Sequence, residues 1–303
     1  MYPPRLIQVG QYVFITCRIV HRQYLLLPDI AMVDAMEFLL AHYAEKYGMK
    51  LLGCCLMSTH YHLVVHDVFG QRSAFVRDLN AMLAGFVKAH RGVRGPVFSP
   101  RPNFCTLKTP EAVADKIAYT MANPVAAGAV VVPKRWPGLL SPTSKLGRTE
   151  KTTHRPTEYF RADGALPKQA TLRFELPECL TEEHGEDGAR QLIGLTTAEH
   201  VSKARRELRK KGWYILGVKR ALSIPATHHA TRYEAFGSLI PEFATLGGGA
   251  SAFKEAVGEL RAFRKAYYAA LALYRAGHRE TIFPYGTYKM AHVFGVNVAP
   301  APG

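Results

Sequence analysis

Residues 56–66 read Leu56-Met57-Ser58-Thr59-His60-Tyr61-His62-Leu63-Val64-Val65-His66, and the architecture of the first half of the chain can be worked outward from them. The β-branched and aromatic content predicts a strand, and strand side chains alternate between faces. His60 and His62 then share one face, while Tyr61, Leu63 and Val65 point the other way, into a core. Cα atoms two residues apart on a strand lie roughly 7 Å apart, a span that two imidazoles leaning together can close around one divalent ion. His66 has the same parity but sits roughly 13 Å beyond His62, too far to share that ion, and reads as structural.

Immediately upstream, Met49 to Met57 predicts a second strand, and Ser58-Thr59 is a tight connection that makes an antiparallel hairpin. Gln11 to Val20 is an earlier β-rich run. Residues 29–47 place Ile30, Val33, Met36, Leu40, Tyr43 and Tyr47 at helical spacing, which predicts a helix with one buried stripe. Residues 73–90 predict a second amphipathic helix, burying Phe75, Leu79, Met82, Phe86 and Val87. A short strand from Phe104 to Lys108 precedes a third helix, Ala112 to Asn123, with Thr109 as N-cap, Pro110 at the first helical position and an end at Asn123 before Pro124. The order strand, helix, strand, strand, helix, strand, helix predicts an α+β fold: a ferredoxin-like (RRM-like) antiparallel sheet with two helices on one face.

The other sheet face carries His60 and His62, and the third helix is the element available to cover it. On that helix Tyr119 and Asn123 are spaced i,i+4 and share a face. Docked over the histidines, this face would assemble two imidazoles, an amide oxygen as third ligand, open water positions and a phenol beside the metal. Those groups suit the breaking of a phosphodiester.

Composition narrows the partner. The 303 residues are 48% hydrophobic, enough for a sizeable core, and no apolar run reaches the roughly 18 to 20 residues a membrane helix needs. No signal-peptide layout opens the chain, so a cytoplasmic, nucleoid-associated location is expected. The formal charge is +15, of which residues 1–143 carry +7, so basicity is spread over both halves and points to nucleic acid ahead of a membrane surface. Five cysteines, at 17, 54, 55, 105 and 179, lack any Cys-x-x-Cys spacing and read as reduced thiols rather than disulfides or a zinc site.

Beyond residue 143 the chain is expected to change character. Residues 144–196 read as a linker or irregular excursion, being dense in turn formers up to about residue 170, and residues 197–303 as a mainly helical basic accessory domain. Within it, 197–211 is a basic amphipathic helix and 251–276 a long helix with an apolar stripe. Arg205, Arg206, Arg209 and Lys210 on the first of these, with Arg101 in the Gly-, Arg- and Pro-rich loop 91–103, are the candidate DNA-backbone contacts.

Two motifs carry a family resemblance. Residues 57–65, with His60-Tyr61-His62, resemble the histidine-hydrophobic-histidine motif of single-tyrosine HUH transposases, and Tyr119-Thr120-Met121-Ala122-Asn123-Pro124-Val125-Ala126-Ala127-Gly128 resembles the tyrosine motif of the REP-associated tyrosine transposases. The likeness runs over about residues 8–140. It departs from the family pattern where Tyr61 replaces an aliphatic and Ala126 stands in place of an arginine. The resemblance implies a DNA transposase-like, single-strand endonuclease and strand transferase with Tyr119 as nucleophile, and His60, His62 and Asn123 as ligands for Mg²⁺ or Mn²⁺. Single-stranded or hairpin DNA is the implied partner, with no membrane or nucleotide cofactor, and the chain acting as monomer or homodimer. A phenol with a pKa near 10 is a poor nucleophile at neutral pH and a phosphodiester repels anions; the implied metal addresses the second problem by polarising the scissile phosphate and stabilising charge in the transition state, and would help ionise the phenol. Attack would leave a 5′-phosphotyrosine and a free 3′-OH, conserving bond energy for rejoining. The alternative is a non-catalytic nucleic-acid-binding protein on the same RRM-like sheet.

Overall fold

The computed structural model describes residues 3–231 and 241–301; residues 232–240, inside the expected accessory region, lie outside the described residues. The first strand, β1 (Gln11–Arg18), alternates as its sequence dictates, with Val13, Ile15 and Cys17 in one core and Phe14 in another. It is followed by α1 (Ile30–Tyr47), β2 (Met49–Leu56), β3 (His60–Asp67), α2 (Arg72–Arg91), β4 (Asn103–Leu107) and α3 (Pro110–Ala126). β1 pairs antiparallel with β3 and with β4, and β2 pairs antiparallel with β3. A two-residue strand, β7 (Phe243–Ala244), adds parallel to β4 and makes a five-stranded mixed sheet in the order β2-β3-β1-β4-β7. The fold is α+β.

The parity of β3 sorts the layers. Tyr61, Leu63 and Val65 join Val13 and Ile15 in the core formed with α1 and α2, whereas Val64 joins Phe14 in the core formed with α3. On β2 the pairing steps from Leu51–Val65 to Gly53–Val64, so Leu52 is an extra residue. That bulge lets Leu51 and Cys54 both face the α1–α2 core despite their odd spacing, and leaves Cys54 and Cys55 on opposite faces. All five cysteines are free. The outer edge of β2 is occupied: Leu56 N donates to Leu139 O at 2.8 Å, Ser141 N to Cys54 O at 3.1 Å and Glu175 N to Leu51 O at 2.7 Å.

Several elements differ from expectation. Ile30 is 82% exposed rather than buried, and α1 buries a broad face including Met32, Ala35, Phe38 and Leu39. The reason is a second layer, the hairpin β5 (Glu150–His154) and β6 (Gln169–Arg173), which lies on α1 and places Ala170 and Leu172 in its core. Lys151 pairs with Glu37 of α1 at 2.5 Å, and buried Arg155 donates to the carbonyls of Ala162, Gly164 and Leu166. Turn formers in this stretch thus connect ordered strands rather than form a loose linker.

The helix α3 does not stop at Asn123. It carries Pro124 inside and ends at Ala126, with Gly128 in the left-handed region at φ 69°. The residue before a proline is biased against helix, but Val125 is fully buried in a third core cluster, and that burial holds the last turn in place.

The greatest difference is α4 (Glu178–Lys210), which runs through the expected boundary at 197. Gly185, at φ 66° and ψ 171°, breaks its first turns from the rest, a backbone that glycine adopts without steric cost. Leu180, Ala189 and Ile193 pack under α3, and Val201 reaches the cluster of Val125 and Trp136. The remainder comprises α5 (Val218–Leu222), α6 (Gly249–Arg275) and α7 (Lys289–Phe294). Phe283 is fully buried among Ala270, Leu271 and Met290. Among the described residues no helix is long and apolar enough to cross a membrane.

Candidate active site

The site lies where β1 and β3 pass beneath α3. Thr16 is the pairing partner of His62, and Arg18 of His60, so these four residues sit side by side on one sheet face. Their neighbour Phe14 stacks on His62, with ring centroids 5.0 Å apart and planes at 23°. The two imidazoles are 4.7 Å apart centroid to centroid, steeply inclined at 73°. Each is tethered through Nδ1: that of His62 is 2.9 Å from Thr16 Oγ1, and that of His60 is 2.9 Å from Thr59 Oγ1. A hydroxyl both donates and accepts, so either ring tautomer is served.

The helix α3 starts where the sequence places it, with Thr109 accepting from Ala112 N and Pro110 in the first turn. This phase brings Asn123 and Tyr119 down on the histidines. Asn123 Oδ1 is 3.2 Å from His60 Nε2, and the Tyr119 ring lies 5.6 Å from His62, edge-on at 70°. Phe14 meets the same phenol edge-on at 5.8 Å. All four expected site residues, His60, His62, Tyr119 and Asn123, are therefore within one cluster of a single chain.

Its electrostatics favour neutral imidazoles beside cations. Burial, reinforced by the charge of Arg18, lowers His60 to about 4, against which the Asn123 hydrogen bond works in the opposite direction. Burial, His60 and then Arg18 hold His62 well below the ordinary histidine value. Burial also lowers the Arg18 guanidinium, with Arg22 adding to the effect and Tyr119 opposing it. Lys116 Nζ stands 5.6 Å from the centre of the Tyr119 ring.

The donor set suits a divalent ion in part. Two neutral imidazoles, each with its second nitrogen hydrogen-bonded, and one amide oxygen are the donors. Among the described residues no group of three or more His, Cys, Asp and Glu is placed to hold a metal. With no carboxylate in the set, water and a phosphate oxygen would complete the coordination.

Other residues were not legible as site residues. Thr16 and Arg18 are found only once β1 is registered on β3. Asp115, which reads as a solvated charge, is hydrogen-bonded to His200 Nε2 at 2.8 Å and paired with Lys116 at 2.7 Å. His200 itself comes from α4, and its ring lies 6.1 Å from that of Tyr119. His66, read as structural, stacks on Tyr12 at 4.5 Å, away from the cluster.

The expected DNA contacts divide. Arg206, Arg209 and Lys210 are exposed on α4. Arg209 donates to Arg205 O, and Lys210 lies 3.4 Å from Glu207. Arg205 is half-buried and donates to Val131 O at 2.6 Å, which anchors the helix to the segment after α3. Arg101 donates to Pro3 O at 3.0 Å, in the loop leading to β4.

No family model matches the chain, and no curated protein does. Among solved structures, a REP-associated tyrosine transposase bound to a REP hairpin is similar at 16% identity, covering 46% of this chain and 81% of that one, with a TM-score of 0.37.

Proposed function

We propose that the chain is a metal-dependent single-strand DNA endonuclease and strand transferase acting through Tyr119. The observation that carries this reading is a phenol set 5.6 Å from one imidazole of a pair whose other member touches Asn123. A general nucleic-acid-binding sheet has no need of two neutral histidines, one buried and one half-buried, tethered at Nδ1 under a tyrosine. The strand order β2-β3-β1-β4, with α1 and α2 on one face, supports the ferredoxin-like assignment. The two motif resemblances support the transposase assignment.

In this reading His60, His62 and Asn123 hold Mg²⁺ or Mn²⁺. Such an ion would polarise the scissile phosphate and stabilise developing charge. Arg18 and Lys116 supply positive charge beside the phenol, attracting the phosphate and favouring the phenolate form. Tyr119 attacks phosphorus, leaving a 5′-phosphotyrosine and a free 3′-OH. The exposed cations of α4 extend the binding surface: Arg206 lies six residues beyond His200, roughly 9 Å along the helix. Residues 1–143 are then the nuclease unit, and α4 is part of its wall rather than a separate accessory element.

The test is incubation of the full chain with labelled single-stranded hairpin DNA and Mn²⁺, followed by a denaturing gel. A Tyr119-dependent covalent adduct is the expected result, absent in Tyr119→Phe although that variant still binds DNA. Binding without any adduct or cleavage would favour the non-catalytic nucleic-acid-binding protein, and cleavage without an adduct would favour a hydrolase that uses water.

A further inference from the structure

We propose that His200, held by Asp115, accepts the proton of the Tyr119 hydroxyl as that oxygen attacks phosphorus, and returns it when the phosphotyrosine bond is broken. The proposal rests on the reading of Tyr119 as nucleophile. His200 lies outside the stretch that carries the transposase resemblance, and α4 is what delivers it to the site.

The geometry has three parts. Asp115 is one turn before Tyr119 on α3, on the same face. Its Oδ1 accepts from His200 Nε2 at 2.8 Å and its Oδ2 from Lys116 Nζ at 2.7 Å, so one carboxylate holds both side chains beside the phenol. The His200 ring stands edge-on to Tyr119, 6.1 Å between centroids and 79° between planes, which sets an imidazole against the ring of the nucleophile.

The carboxylate dictates the tautomer. With Asp115 accepting from Nε2–H, the lone pair of His200 is on Nδ1, the arrangement of a base oriented by an acid. Burial works to raise Asp115, but the hydrogen bonds from His200 and Lys116 outweigh it and bring the carboxyl to about 2. Other charged or titratable groups around the phenol are Lys116 on α3, His62 on β3 and Arg18 on β1. Both cations favour the departing proton's loss from the phenol.

The step balances. The Tyr119 proton moves to His200 Nδ1, a bond forms between the Tyr119 oxygen and phosphorus, and the bond from phosphorus to the 3′ oxygen breaks. That oxygen leaves with the electron pair and takes a proton from water. On rejoining, the 3′-OH gives its proton to water as its oxygen bonds phosphorus, the bond from phosphorus to the Tyr119 oxygen breaks, and the imidazolium protonates the departing phenolate.

A purely structural role would have the His200–Asp115 hydrogen bond pin α4 to α3. His200→Gln separates the two roles, since a glutamine amide can still donate to Asp115 but cannot accept a proton. The full chain is compared with His200→Gln and His200→Ala in two assays. The first is the rate of adduct formation on hairpin DNA with Mn²⁺ against pH. The second, without DNA, is labelling of Tyr119 by an aryl sulfonyl fluoride, read by mass spectrometry against the exposed Tyr268 as internal standard. The expected result is an adduct rate lower by about 100- to 10,000-fold in His200→Gln at unchanged melting temperature. Labelling of Tyr119 should slow in both variants, and added imidazole should restore it in His200→Ala. Should the wild-type chain form no adduct while labelling still depends on His200, the nuclease reading fails and the proton acceptor stands. Equal labelling of Tyr119 in all three proteins overturns the proposal, whatever the adduct assay gives.

Discussion

His60 Nε2 and Asn123 Oδ1 stand 3.2 Å apart across sixty-three residues of chain, and this contact marks where the sheet meets α3. If these atoms are shared by a cation, Asn123→Ala should weaken Mn²⁺ binding while the fold is retained. Thr16→Val, which removes only the hydroxyl tethering His62, should weaken it by about 10- to 100-fold, because the imidazole loses the partner that orients it. Isothermal titration with Mn²⁺ measures both. Unchanged affinity in the two variants would remove the cation from this cluster.

The histidine pair should also make stability depend on pH. Burial lowers His60 to about 4 and His62 well below 6.5, so between those values the unfolded chain takes up protons that the folded chain refuses. Stability is therefore complete above about pH 6.5 and falls as pH is lowered towards 4. Melting temperature should decline over that window, and less steeply in the double variant His60→Gln, His62→Gln. An identical decline in the variant would place the cause elsewhere.

Phe14 is the floor beneath both His62 and Tyr119. Phe14→Ala should cost about 3–5 kcal/mol, as truncation of a buried phenylalanine does, and chemical denaturation would show it. Phe14→Leu should keep most of the stability yet slow adduct formation, because the phenol no longer has an aromatic ring against its edge. Full activity in Phe14→Leu would show that the ring fills space without positioning Tyr119.

The basic end of α4 allows a salt test. Arg206, Arg209 and Lys210 are exposed, whereas Arg205 is engaged with Val131. Replacing the three exposed residues with alanine should flatten the dependence of log affinity on log salt by about 0.7 for each phosphate of single-stranded DNA that is no longer neutralised. Arg205→Ala should instead lower melting temperature with a smaller effect on that slope. A salt slope unchanged by the triple variant would leave this helix end as scaffold.

What the sequence discloses follows the range of the signal. Strand parity and an N-cap are local, so the shared face of His60 and His62 and the start of α3 at Thr109-Pro110 could be read directly. The hairpin β5–β6 lies in a turn-rich stretch with strands of only five residues: β6 alternates, burying Ala170 and Leu172, but β5 is polar throughout and buries Thr153 alone. Its existence depends on the broad buried face of α1, more than a hundred positions earlier, as the Lys151–Glu37 pair across 114 residues shows. Likewise Asp115 reads as solvated until α4 supplies His200, a contact spanning eighty-five residues that no periodicity encodes. Pro124 gives a correct local signal for a helix end, and tertiary burial of Val125 overrides it.

The outer edge of β2 has one further implication. Unpaired strand edges recruit other strands, from a second copy or from an aggregating chain. Here Cys54, Leu56 and Leu51 spend their outward backbone groups on residues 139–141 and Glu175, contributed by segments on either side of the β5–β6 hairpin. Sheet extension from this side is blocked by the chain's own folding. Deleting the hairpin would pull both covering segments away together and expose a strand ready to pair, so a truncated protein should assemble through β2 where the full chain does not.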